Sequence, residues 1–116
     1  MTNAAIDMRP WGSFTVLDSS PAYKVKRIEV LPNKRLSYQR HTHRSEHWFV
    51  VVGKGSVTLN GSERFVWPGS AVDIPVATWH RIANIGSEVL VFFEVQHGES
   101  FEESDIERRE DDFGRA

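Results

Sequence analysis

Four residues with metal-ligating atoms stand out by type and spacing. Gln39, His41 and Glu46 lie in the stretch Gln39 to Gly53, QRHTHRSEHWFVVVG, and His80 lies further on in WPGSAVDIPVATWHRIAN. Polar ligand types set against an apolar run are costly to bury unless something pairs them. The pattern predicts a metal site on the inner wall of a β-barrel. In a strand alternate side chains share a face, so Gln39 and His41 point the same way. Glu46 follows a short turn at the start of the next strand, and His80 comes from another. Two imidazoles and two oxygen donors suit a single divalent ion, Zn²⁺ first, with Mn²⁺, Fe²⁺, Co²⁺ or Ni²⁺ also compatible. The chain has no Cys, so thiolate ligands, disulfides and cysteine nucleophiles are excluded.

The elements that must position these residues read as short strands. Ser13 to Asp18 and Ala22 to Leu31 alternate apolar and polar residues around the turn chemistry of Asp18 to Pro21. Lys34 to His41 makes the next strand, and Glu46 to Val52 is rich in β-branched and aromatic residues. Val57 to Leu59 and Glu63 to Trp67 flank Asn60-Gly61, a short-hairpin signal. Ser70 to Ile74, Trp79 to Asn84 and Glu88 to Gln96 complete the set. Many short strands with regular turns predict an all-β sandwich or small barrel. Residues 1–8 are expected to be a loose arm, 9–100 the barrel, and 101–116 an acidic tail in which Ser104 to Arg109 could make one or two helical turns.

At 116 residues the chain is expected to be one domain. A net charge of −2 provides no basic field for nucleic acid. No apolar run approaches membrane-span length. The start lacks a basic region followed by an apolar core, so a cytoplasmic protein is expected. No Gly-rich nucleotide-binding loop is present.

The two histidine-bearing stretches resemble the paired motifs of the cupin superfamily. The first runs Asn33, Gln39-x-His41, Glu46, Gly53. The second runs Gly69, Pro75, His80, Asn84. Asn33 and Ala77 stand where glycines are usual, and Gln39 where most cupins have a first His. A register using His41 and His43 as the His-x-His pair leaves too few residues before Glu46. With RPWGSFTVLD, KVKRIEVLPNKRLS, FEVQHG and EDDFGR, the string QRHTHRSEHW is similar to the C-terminal cupin domain of type II phosphomannose isomerases. That resemblance spans about Arg9 to Arg115. It implies a single-domain double-stranded β-helix, or jelly-roll barrel, and the interconversion of mannose 6-phosphate and fructose 6-phosphate. A non-enzymatic sugar-binding or regulatory metallo-cupin and a metal-dependent oxygenase are the alternatives.

Within that frame, Lys26 shares a face with Ile28 and Val30, which precede the motif turn and should face inward. A Lys inside a barrel tends toward a depressed pKa and suits proton transfer; the plainer reading is an ammonium that snorkels to the mouth. Glu94 and Gln96 share one face of the last long strand. Glu94 is a candidate base if it faces in, although a solvated face is the preferred reading. Arg44, in the turn before Glu46, is the residue that the resemblance ties to activity and a planar partner for a sugar phosphate. Ser37 and Arg81 are further substrate-binding candidates, and Arg35 is ordinary surface charge. His43 is a fifth ligand or a rim group; His47 should face away, and His97 should be on the surface. Trp11, Phe14 and Trp48 add apolar area to a barrel whose edges need cover, and cupins commonly pair through such edges, so a homodimer is expected.

Overall fold

A computed structural model describes residues 5–115. The strands are β1 (Ile6–Arg9), β2 (Gly12–Ser19), β3 (Tyr23–Val30), β4 (Tyr38–Arg40), β5 (Arg44–Val52), β6 (Gly55–Leu59), β7 (Ser62–Val66), β8 (Ala71–Ile74), β9 (His80–Asn84), β10 (Leu90–Gly98) and β11 (Glu107–Glu110). They form a six-stranded sheet ordered β1-β2-β3-β10-β5-β8 and a five-stranded sheet ordered β11-β4-β9-β6-β7. All pairings are antiparallel. This is the all-β barrel expected from the turn spacing, in the jelly-roll form that the cupin resemblance implies.

Register places the site. Lys26 of β3, Glu94 of β10, Trp48 of β5 and Val72 of β8 lie side by side across the larger sheet. One layer further in, Ile28, Phe92 and Val50 are level. One layer outward, Gln96 is level with Glu46. Period-two alternation sends all of these side chains to the same face, and all are buried. Each strand therefore switches from polar to apolar at about the same depth. Val30, Val50, Val57, Ile82, Leu90 and Phe92, each with no exposed surface, form the dry end. Each such side chain contributes roughly 1.5–3 kcal/mol by leaving water. The polar ends of the same strands wall a cavity.

Backbone geometry explains the two motif departures. Asn33 has φ 64° and Ala77 has φ 63°, the left-handed region that glycine adopts without cost. Asn tolerates it through its short polar side chain. Ala77 is held there while its N–H donates to the His41 carbonyl at 2.8 Å. Gly98 meets a different need: a Cβ there would lie 2.2 Å from the His43 carbonyl oxygen. Its absence lets β10 close against the start of β5.

Both ends of the chain differ from expectation. Residues 1–4 of the anticipated arm lie outside the described residues, but Ile6–Arg9 is a strand paired with β2. No helix forms over Ser104 to Arg109; Glu107–Glu110 is a strand paired with β4. Asp105 accepts from the N–H groups of Thr42 and His43 at 2.9 and 2.8 Å, and Glu107 pairs with Arg40. Phe113 packs against the core. Such long-range pairings outweigh a weak local helix preference. Trp11, Phe14 and Trp48, expected to offer apolar surface to a partner, are instead 6%, 8% and 1% exposed.

Candidate metal centre

His41, Glu46 and His80 are all buried, and their candidate ligand atoms lie within 4.8 Å of one another. His41 Nε2 is 3.1 Å from Glu46 Oε2, and His80 Nε2 is 3.7 Å from Glu46 Oε1. Both imidazoles are oriented from behind. His41 Nδ1 meets the Asp105 carbonyl at 2.7 Å, and His80 Nδ1 meets the Thr78 carbonyl at 2.8 Å. A carbonyl only accepts, so each Nδ1 carries the proton and each Nε2 points its ligating atom at Glu46. Gln39 is the Cα partner of His80 and lines the same cavity. Its amide nitrogen donates to the Ser37 carbonyl at 3.4 Å, which leaves the amide oxygen to ligate. This donor set fits a divalent ion.

The electrostatics favour that fit. Burial pushes the Glu46 carboxyl up, but its contact with His41 and the electrostatic influence of His80 outweigh burial and hold Glu46 well below the usual carboxylate range. Burial lowers His80, against the pull of Glu46. Glu94 behaves oppositely. Burial first, and then the charge of Glu46, push it up to about 8. Two carboxyls sharing a buried site cannot both ionise easily. Trp48 Nε1 bridges them, donating to Glu46 Oε1 at 3.1 Å and Glu94 Oε1 at 3.0 Å. Gln96 donates to Glu94 Oε2 at 2.8 Å. The structure thus holds one ionised carboxylate for ligation and one protonated carboxyl beside it. Glu94 faces inward, contrary to the preferred solvated reading, because its strand parity matches Phe92 and Leu90 of the core.

Lys26 is also inward and only 4% exposed. Its ammonium meets Glu103 at 2.8 Å and sits 4.1 Å from the centre of the Phe14 ring. Arg44 is not in the turn. It opens β5 with its side chain inward, Nε 3.0 Å from Glu46 Oε2 and Nη2 3.2 Å from His41 Nε2. Those are atoms that a metal would take, so an ion held there requires the guanidinium to turn away. Ser37 is buried and lines the cavity.

Arg81 does not belong to the site. It follows inward-facing His80, so period two turns it to the other face. There it donates to the Leu36 carbonyl at 3.0 and 3.1 Å and pairs with Glu110 at 3.0 Å. His43 turns outward and is half exposed, with Glu99 3.8 Å away. The bend at Thr42 and His43 breaks the strand parity that linked it to His41. His47 faces out and pairs with Asp73, and His97 is exposed. Arg35 pairs with Asp112 on the surface.

The cavity, about 80 Å³ in volume, has further walls that sequence reasoning missed: Arg9 and Trp11 from the start of the chain, and Glu103, Ile106, Arg108 and Arg115 from its end. Ile106 and Arg108 share period-two parity, the available signal, but a segment read as a tail gave no reason to apply it.

The family model described as mannose-6-phosphate isomerase C-terminal matches residues 2–111. The chain is 42% identical over 107 residues to mannose-1-phosphate guanylyltransferase ManC of Salmonella typhimurium, covering 92% of this chain and 22% of that protein. It is 45% identical to the alginate biosynthesis protein AlgA of Pseudomonas aeruginosa, with the same coverage. The chain thus spans about a fifth of these relatives' length. Among solved structures, the capsular polysaccharide assembling protein CapF of Staphylococcus aureus superimposes with a TM-score of 0.83 at 26% identity, over 95% of this chain and 35% of that one. Oxalate decarboxylase of Lactobacillus farciminis gives a TM-score of 0.78 at 21% identity, over 90% and 33%, a likeness of fold alone.

These relatives correct the expected reaction. Proteins matching across this whole domain are named for guanylyl transfer or alginate biosynthesis. The interconversion of mannose 6-phosphate and fructose 6-phosphate is therefore not assigned to this chain, and the regulatory and oxygenase alternatives are not favoured either. The match over residues 2–111 and the jelly-roll geometry together show that the chain belongs to the mannose-6-phosphate isomerase C-terminal family, within the cupin fold.

Proposed function

We propose that this domain is a metal-dependent acid–base site for a phosphorylated mannose, the sugar class in the names of its guanylyltransferase relatives. The observation that carries the reading is the convergence of His41, Glu46 and His80 beside a carboxyl, Glu94, that keeps its proton near neutral pH. Gln39, His41, Glu46 and His80 would hold one ion, and zinc is proposed for their nitrogen and oxygen donors. A bound ion would supply Lewis acidity to a sugar oxygen. Glu94 is placed to donate a proton and Lys26, its direct cross-strand partner, to exchange one. Trp48 and Gln96 fix the Glu94 carboxyl from both oxygens.

The same reading carries a cytoplasmic setting and a homodimer. Ile6 and Met8 on edge strand β1, and Phe65 on edge strand β7 with Trp67 just beyond it, are each about three-fifths exposed or more and replace the aromatics first expected to pair. No helix among the described residues is long and apolar enough to cross a membrane.

Calorimetric titration of zinc-loaded protein with mannose 1-phosphate tests the function. Saturable binding that disappears in the His41→Ala, His80→Ala double variant is expected. Equal binding by the folded double variant would overturn the proposal.

A further inference from the structure

The candidate ligands have almost no path to solvent. His41, Glu46 and His80 are 4%, 4% and 2% exposed. The cavity they line holds about 80 Å³, whereas sites for ordinary small molecules run from roughly 300 Å³ upward. A sugar phosphate therefore enters only if a wall moves. Most walls are fixed by long ladders. β10 is paired with β3 from Leu90 to His97 and with β5 from Val91 to Gly98, and Trp11 lies in the turn between the paired strands β1 and β2. The exception is the wall formed by Glu103, Ile106, Arg108 and Arg115.

That wall is held differently. No residue from 101 to 115 is buried. The Glu99 N–H donates to the His43 carbonyl at 2.9 Å; beyond it, among the described residues, no backbone hydrogen bond ties the chain to the barrel until β11. β11 is an edge strand, and its ladder with β4 runs only from Glu107 to Glu110, with a register shift inside it. β4 in turn meets β9 at a single pair, Gln39 with His80. Phe113, half-buried against the core, is the apolar anchor at the far end. Most of the remaining ties are charges. Glu103 and Glu110 reach Lys26 and Arg81. Glu107 and Asp112 reach Arg40 and Arg35. In each pair the acid is on the segment, the base is on the barrel, and the acid is two-fifths exposed or more. Exposed ion pairs are individually weak and are screened by salt. Few buried apolar contacts and solvent-facing ties mark the parts of a fold that open before the rest.

We propose that residues 101–115 form a strap that swings out from Ser100 as one body, and that its opening admits ligand to the metal centre. Opening also loosens the centre. The Asp105 carbonyl that holds His41 Nδ1 rides on the strap, so lifting the strap frees the imidazole to turn. An ion bound through a correctly turned His41 therefore favours the closed strap, and closure favours the ion by the same factor. The strap follows from cavity size, burial and pairing; only the identity of what it admits rests on the reading above.

The chain has no Cys, so one engineered pair can pin the strap. Arg40 and Glu107 are cross-strand partners with solvent-exposed side chains, and antiparallel partners stand at a Cα separation that a disulfide spans. Oxidised and reduced forms of the Arg40→Cys, Glu107→Cys variant are compared with wild type by hydrogen exchange and by the rate at which EDTA removes bound zinc. In wild type and the reduced variant the β11 amides should exchange together, about 100-fold or more faster than those of β10. Raising salt to about 1 M should speed that exchange several-fold. The disulfide should slow both β11 exchange and zinc removal by about tenfold or more, and abolish the salt effect. Glu107→Gln combined with Glu110→Gln, which leaves the centre untouched and needs no oxidation, should speed both several-fold. β11 amides as protected as those of β10, or zinc removal at one rate from the oxidised and reduced forms, would overturn the strap. If exchange behaves as expected but neither zinc nor mannose 1-phosphate binds either form, the strap stands and the metal-dependent sugar reading fails. If mannose 1-phosphate binds the oxidised form as fast as the reduced one, that reading stands and the strap as the point of entry fails.

Discussion

His41 Nδ1 donates to the backbone carbonyl of Asp105 at 2.7 Å, while the Asp105 carboxylate accepts from the N–H groups of Thr42 and His43 at 2.9 and 2.8 Å. The C-terminal segment therefore sets the tautomer of a candidate ligand that precedes it by 64 residues. Asp105→Ala should free that carbonyl to shift and lower zinc affinity by about tenfold, the low end for partners that orient a ligating His. Competition with a chromophoric chelator measures it. An unchanged affinity would show that the carbonyl does not depend on the Asp105 side chain.

Binding of the ion should stabilise the fold by mass action, about 2.7 kcal/mol at a free concentration one hundred times the dissociation constant. Thermal melts with and without zinc should show that gain in wild type. It should be lost in the His41→Ala, His80→Ala double variant, while His43→Ala and His47→Ala, whose side chains point outward, keep it. A full zinc shift in the double variant would remove His41 and His80 from the ligand set.

Glu94 gives the folded protein a pH dependence of known sign. Folded Glu94 keeps its proton up to about pH 8, whereas an ordinary Glu gives its proton up near 4.5. Between those values the folded chain binds more protons than the unfolded one, so stability falls as pH rises. The stabilisation is complete below about 4.5 and gone above about 8. Glu94→Gln has no proton to lose, so its stability relative to wild type should rise steadily from pH 4.5 to 8. Urea unfolding in the presence of chelator, at four or five pH values, reads this out. A pH-independent difference between the two proteins would mean that Glu94 ionises in the folded state as it does in water.

Ala77 sits at φ 63° with its N–H on the His41 carbonyl. Ala77→Gly relieves a left-handed strain of about 1–2 kcal/mol, part of which the greater freedom of Gly in the unfolded chain cancels. A net stabilisation of up to about 1 kcal/mol is expected by urea unfolding. Destabilisation would show that the Ala77 methyl contributes packing that outweighs the strain.

The barrel, and the inward placement of the residues that form its candidate metal centre, were legible in the sequence because both depend on local pattern. Period-two alternation sorts Glu46 from His47 and Ile28 from Arg27, and turn residues space the strands without reference to the rest of the molecule. The same parity turns Arg81 outward once His80 faces in, although its placement near a motif suggested otherwise. What tertiary structure decided is the far side of the cavity. Whether Glu94 or Val95 faces the core depends on which β10 face meets β3 and β5, and both faces carry apolar residues. The acid–base contrast between Glu46 and Glu94 then arises from burial and mutual repulsion, which exist only after the sheets close. The last wall is the least local of all. Asp105, Arg108 and Arg115 act on residues far earlier in the chain, or share their cavity. A segment that is polar and weakly patterned by itself becomes a strand only because β4 offers it an edge.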